Sequence, residues 1–210
     1  MENIEDVRFV FEVEKDLEGL NVTIPFKESI IPYLDDLDPV AAAIGAVNCI
    51  HIDDIQKTGY NTDHRGFRES VKPHLKKHHK KALILGTGGS SKAVNYALQE
   101  LGISAMYVSR NTADGILTYA ALDKAVLDEC PLIINCTPVG MYPNVLEAPL
   151  IPYQYLSPHH FCYDLVYNPE ETVFLQKAKA HGAKTMGGLS MLHAQAECAW
   201  EIWNNQEEED

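Results

Sequence analysis

A glycine turn set between an apolar run and a helical one narrows the possible folds more than any other feature. Ala82-Leu83-Ile84-Leu85 leads into Gly86-Thr87-Gly88-Gly89-Ser90-Ser91, and helical spacing then runs from about Ser90 to Leu101. An apolar run without polar alternation suits a strand covered on both faces, the condition of a parallel sheet. In that setting the first glycine permits the tight turn. The second lets backbone approach a pyrophosphate held at the helix N-terminus. Ser91 stands where Gly or Ala is usual and is still small enough for close helix–strand packing. Gly86, Thr87, Gly88, Gly89 and Ser90 are therefore candidate cofactor-binding residues.

The same rhythm continues downstream. Ala105–Ser109, Leu132–Cys136 and Phe161–Val166 read as strands, with helical patterns at about 120–129 and 170–181. Strands alternating with helices predict a doubly wound α/β domain. The second strand ends in Ser109-Arg110-Asn111-Thr112, where an enzyme selective for NAD usually carries an acidic residue for the ribose 2′-hydroxyl. A guanidinium flanked by Ser109 and Asn111 suits a 2′-phosphate instead. The expected cofactor is NADP.

Upstream the pattern is mixed and rich in turns. Residues 1–15 read as a short helix and a loop, Leu20–Ile24 as a strand, and Pro25 as the opening of a helix over 26–34. Val47–Ile52 and Thr58–Thr62 form a hairpin turned at Asp53-Asp54, and Asp63 caps a helix from His64 to about Lys77. The basic cluster KKHHKK (76–81) reads as a solvated helix end. A last helix from Leu189 to about Asn204 presents Leu192, Ala196, Ala199 and Trp203 on one face. Trp200 and Trp203 are expected to pack it on the body, with the tail QEEED frayed. The chain thus divides into a smaller, incomplete α/β substrate domain over 1–62, to which helix 189–210 returns, and a Rossmann domain over 63–188.

Charge and cysteine content remove other classes. Seventeen basic against thirty acidic residues give a net charge of −13, which opposes binding to a nucleic-acid backbone. No apolar run approaches the roughly 20 residues of a membrane span, and the acidic start MENIEDVRF lacks the apolar core of a secretory signal. Five widely spaced cysteines with no CxxC pair predict reduced thiols and a cytoplasmic protein. Cys136 reads as a small buried apolar residue. The nine histidines show no metal-ligand spacing, so no metal is expected.

Lys27 and Asp63 each sit at a strand-to-helix junction. A lysine and an aspartate aimed at one cleft suit hydride transfer to a ketone, which creates an alkoxide needing a proton and a nearby positive charge.

Six ordered motifs carry a family resemblance: Asn21-Val22-Thr23-Ile24-Pro25-Phe26-Lys27, Gly45-Ala46-Val47-Asn48, Gly59-Tyr60-Asn61-Thr62-Asp63, Gly86-Thr87-Gly88-Gly89, Asn135-Cys136-Thr137-Pro138-Val139-Gly140-Met141, and Asp164 to Pro169 followed by Gly188-Leu189 through Gln195-Ala196. From about Leu17 to Trp203 the chain resembles the shikimate dehydrogenases. That resemblance implies NADP-linked interconversion of 3-dehydroshikimate and shikimate. It places Lys27 and Asp63 as the catalytic pair. Thr23, Asn48 and Gln195 become ligands of substrate hydroxyls, Tyr167 lies near the ring, and Thr137 and Gly188 lie beside the cofactor. The family's first strand and its Ser-x-Ser grip on the substrate carboxylate have no counterpart here, which predicts an exposed sheet edge and the possibility of a homodimer. Two other readings stay open: a remnant that binds NADP without catalysis, and a relative that takes quinate.

Overall fold

Two sheets organise the chain, and the computed structural model describes residues 3–13 and 16–204. The first sheet contains β1 (Gly19–Asn21), β2 (Asp36–Leu37), β3 (Cys49–Asp53) and β4 (Gln56–Tyr60) in the order β1-β3-β4-β2. β3 runs antiparallel to β1 and β4, while β2 is parallel to β4. Helices α1 (Val7–Val13) and α2 (Pro39–Ile44) accompany it. Asp38 caps α2 by accepting from the N–H groups of Val40 and Ala41, and Gly45 ends it at φ +71°, a left-handed turn that suits glycine. Val7, Ile30, Ala41, Val47 and Ile50 form this half's core.

The second sheet is wholly parallel. It contains β5 (Lys81–Leu85), β6 (Ser104–Ser109), β7 (Ile116–Thr118), β8 (Leu132–Asn135), β9 (Phe161–Asp164) and β10 (Lys184–Met186), ordered β10-β9-β8-β5-β6-β7. Helices α3 (Asp63–Val71), α4 (Gly89–Glu100), α5 (Lys124–Glu129), α6 (Val173–Ala180) and α7 (Leu189–Asn204) complete the described elements. Leu83 and Leu85 face one core with Phe174, whereas Ala82 and Ile84 face another with Phe67 and Leu98. Two buried faces explain the unbroken apolar strands. The chain moves from β5 outward to β6 and then back to β8, so the order reverses at the C-terminal ends of β5 and β8. Open α/β sheets bind ligands at such a crevice.

Helix α7 links the halves. Starting beside the crevice, it packs along α3 and reaches the first sheet, where Trp203 Nε1 donates to the Ile50 carbonyl at 2.9 Å. Arg65 of α3 pairs with Glu201 of α7 at 2.9 Å.

Several expectations are corrected. Residues 26–34 form successive turns ending in a 3-10 turn at Ile31–Tyr33, because Pro32 has no N–H to continue an α-helical ladder. Pro73 likewise stops α3 at Val71, short of Lys77. Thr62 holds the cap position of α3, and the Asp63 carboxylate is spent elsewhere. The KKHHKK segment lies in turns leading into β5. His79 within it is 3% exposed, and burial pushes its imidazole down to about 4, with the charges of His78 and Lys76 adding to that. On α7 Ala196 and Trp200 face outward, and Met191, Cys198 and Ala199 form the buried stripe. A 3-10 turn at Tyr119–Ala121 precedes α5 in place of one continuous helix. The short elements β2, α2, β7 and β10 fall below the length at which periodicity speaks. The tail QEEED lies outside the described residues. No helix among the described residues is long and apolar enough to cross a membrane.

Contact between α3 and α7 depends on Gly66. A Cβ built there meets Gln195 Cβ, Gln195 N and the Met191 carbonyl, all at 2.9 Å. Two of these atoms are backbone and cannot swing aside. Gly66→Ala is expected to lower stability by about 1–3 kcal/mol, read from a shifted urea midpoint with an unchanged slope.

Candidate active site

A cleft of about 520 Å³ lies between the two sheets. Thr23, Lys27 and Asn48 reach it from the first sheet and its following turns. Asp63 comes from the start of α3 and Gln195 from α7. Ser90, Thr137, Tyr167 and Gly188 line it from the second sheet. Nine residues singled out from the sequence therefore share one opening.

At its centre Lys27 Nζ donates to Asp63 Oδ2 at 2.5 Å and to Ser90 Oγ at 3.2 Å. The Lys27 and Asp63 side chains are 12% and 6% exposed, so the pair is nearly removed from water. Buried pairs of this kind hold only while both partners are present, since removing one strands the other charge. Asp63 keeps its second oxygen for Asn48, whose Nδ2 lies 3.1 Å from Oδ1. The same amide reaches Thr62 Oγ1 at 2.9 Å and Gln195 Oε1 at 3.2 Å, while its oxygen accepts from the Thr62 N–H at 2.6 Å. Asn48 thus ties the start of α3 to β3 and to α7. Tyr167 is half-exposed at the rim, and Thr23 is exposed.

The glycine turn forms the adjoining wall. Gly86 has φ +107°, and a Cβ there would meet Thr137 Cγ2 at 3.0 Å, so both its backbone angle and its neighbour favour glycine. A Cβ at Gly89 would strike Lys27 Cβ at 2.9 Å, which brings the turn directly onto the lysine. Gly88 faces open space, and the twelve-residue helix α4 begins immediately after it. Backbone open at a helix N-terminus suits a phosphate-bearing cofactor. Thr87 belongs to the same turn. Ser109, Arg110 and Asn111 lie apart from the cleft at the end of β6, with Arg110 and Asn111 exposed and Ser109 Oγ accepting from the Asn111 N–H at 3.3 Å.

The Ser90 hydroxyl meets Lys27 across the fold, a contact that its place in the phosphate turn does not signal. Leu165, Met141, Met191 and Leu192 also line the cleft and supply its apolar part. Cys136 lies in the wall, where burial and the carboxylates of Asp164 and Asp63 push its thiol well above the ordinary range. A thiol held neutral in this way is no nucleophile. Among the described residues no group of three or more His, Cys, Asp and Glu could hold a metal ion.

Known proteins share this fold. The family model for the shikimate dehydrogenase substrate binding domain matches residues 2–50, so the likeness extends upstream of Leu17. The NADP(+) shikimate dehydrogenase of Moorella thermoacetica is 40% identical over 208 residues, covering 90% of this chain and 70% of its own. The chain belongs to the shikimate dehydrogenase family. The crystal structure of shikimate dehydrogenase from Aquifex aeolicus superposes with a TM-score of 0.85 at 36% identity, covering 97% of this chain and 79% of that one. Shikimate 5-dehydrogenase from Thermus thermophilus, solved with NADP(H) and shikimate, gives 0.85 at 32% identity with the same coverage. Within the shikimate dehydrogenase fold, then, the pair Lys27–Asp63 sits where two sheets and one returning helix converge.

Replacing Asn48 with Ala leaves the buried Thr62 N–H and one Asp63 oxygen without their partner. Stability is expected to fall by about 1–3 kcal/mol, measured by chemical denaturation. An unchanged midpoint would show that water replaces the amide at no cost.

Proposed function

We propose that the chain interconverts 3-dehydroshikimate and shikimate in an NADP-linked reaction. One observation carries the reading: the nearly buried Lys27–Asp63 pair lies in a cleft directly against the glycine turn, with Lys27 hydrogen-bonded to Ser90 of that turn. Bound NADP supplies or accepts the hydride. When the ketone is reduced, negative charge develops on its oxygen. The Lys27 ammonium sits ready to stabilise that charge and to hand over a proton, while Asp63 orients the amine and shares the proton balance. In the reverse direction the pair takes the proton from the substrate hydroxyl.

Thr23, Asn48 and Gln195 offer hydroxyl and amide groups to the substrate's hydroxyls, and Tyr167 covers the ring from the rim. Once substrate shields these polar groups from water, analogues that lack the hydroxyls are rejected because the site's own groups would be left unpaired. Gly86, Thr87, Gly88, Gly89 and Ser90 would hold the pyrophosphate at the start of α4, with Thr137 and Gly188 flanking the cofactor. Arg110, helped by Ser109 and Asn111, would hold the 2′-phosphate. On this reading residues 1–62 and the returning α7 bind substrate, and 63–188 bind cofactor. The cytoplasm is the matching compartment, in keeping with the unpaired thiols of Cys49, Cys130, Cys136, Cys162 and Cys198.

Lys27→Ala should reduce kcat for shikimate oxidation by roughly 10²–10⁴-fold, the usual contribution of a positioned acid–base group. Turnover near the parent rate, followed by NADPH formation, would overturn the assignment. Arg110→Ala should raise KM for NADP+ by about tenfold or more while leaving KM for NAD+ unchanged. Equal effects on both cofactors would remove Arg110 from phosphate recognition.

A further inference from the structure

Asn135 and Asp164 are the last residues of two otherwise apolar strands, β8 and β9, and both are fully buried. Neither lines the cleft. Asp164 Oδ1 accepts from Asn135 Nδ2 at 2.9 Å and from the Val166 N–H at 3.0 Å, and Oδ2 accepts from Thr172 Oγ1 at 2.6 Å. Asn135 in turn accepts from the Thr137 N–H at 3.0 Å and its hydroxyl at 2.6 Å. Thr172, also fully buried, caps α6 by accepting from the Leu175 N–H at 3.4 Å. One carboxylate therefore fastens both the loop after β8 and the loop between β9 and α6. Those loops supply Thr137, Met141, Val166 and Tyr167 to the cleft.

Burying a carboxylate here is unfavourable, and an apolar core would serve stability as well or better. The carboxylate accepts all three hydrogen bonds with no donor of its own, whereas an amide in its place would set an NH2 against Thr172 Oγ1 and offer no acceptor to that hydroxyl's proton. Resting on the dehydrogenase reading above, we propose that Asp164, clamped between Asn135 and Thr172, is a positioning residue that fixes the cofactor-side wall of the cleft without touching the reactants. Burial lifts its carboxyl to about 6, against hydrogen bonds from Thr172, Val166 and Asn135 that favour the ionised form. The titratable groups facing it are Cys136, Cys162, Tyr153 and Tyr163, whose own ionisation burial opposes. Protonation turns one acceptor oxygen into a donor against Thr172. Because the hydrogen bonds lower the carboxyl's pKa, a loosened clamp in which Asp164 stays buried binds the proton more tightly than the intact one, so falling pH through about 6 favours the loosened wall.

Calorimetry with NADP+ and steady-state kinetics with NADP+ and shikimate, on the parent and on Asp164→Asn, Thr172→Val and Thr172→Ser, test this. Asp164→Asn and Thr172→Val should weaken NADP+ affinity by roughly tenfold, as expected for a lost hydrogen bond to a buried charged group. Thr172→Ser, which keeps the hydroxyl, should match the parent. In the parent, KM for NADP+ should climb more steeply below pH 6 than in Asp164→Asn, the phosphate's own titration being common to both. Parent-like NADP+ affinity in folded Asp164→Asn or Thr172→Val overturns the proposal. If Asp164→Asn fails to fold, the Thr172→Val and Thr172→Ser comparison decides alone. A parent that binds NADP+ but does not turn over shikimate would instead defeat the functional reading, and the affinity differences would still test the clamp.

Discussion

The Lys27–Asp63 ion pair exists only because two separately built halves meet. Lys27 lies in the turns after β1, and Asp63 is the first residue of α3, which packs on the parallel sheet. With both side chains nearly buried, water is a poor alternative partner for either charge. The pair therefore makes correct apposition of the halves a condition for solvating either charge, and separation would expose or strand both. Ser90 and Asn48 extend this dependence, one to the glycine turn and the other to α7.

Close approach is made possible by missing side chains. Gly89 admits the stem of Lys27, Gly66 admits α7, and Gly19 accepts the indole of Trp203 against β1. Each lies at a seam between elements far apart in the chain. Among the glycines, left-handed backbone occurs at others, such as Gly45 and Gly86, so these seam glycines answer to space and not to φ. The distinction matters because a methyl group at a seam moves whole elements, whereas one in open space, as at Gly88, moves nothing.

The doubly wound sheet could be read from the chain because apolar strands of four to six residues repeat with intervening helices, and both cores need them. The six ordered motifs gave the substrate half, which periodicity alone left vague. What escaped were interactions between residues distant in sequence. Ser90 reads as a phosphate residue from its neighbours, yet its hydroxyl meets Lys27, 63 positions away. Asp63 looks like a helix cap locally, and Trp200 looks like a packing residue by its size. Tertiary contact decided against both. A polar residue ending an apolar strand, as with Asn135 and Asp164, was the available sign of a buried network.

Buried polar groups are unevenly distributed. Asn48, Asn61, Thr62 and Asp63 cluster where the first sheet meets α3, and Asn135, Asp164 and Thr172 cluster at the ends of β8 and β9. None of their buried side-chain polar atoms is left without a partner among the described residues. Satisfying these groups recovers most of their desolvation cost but gives little net stability over well-packed apolar side chains. What they provide is geometry, because a satisfied network admits few alternative arrangements. One cluster holds the lysine and aspartate at hydrogen-bonding distance, and the other fixes the loops across the cleft. A site that must place an amine against a ring bound from the opposite wall depends on both distances at once.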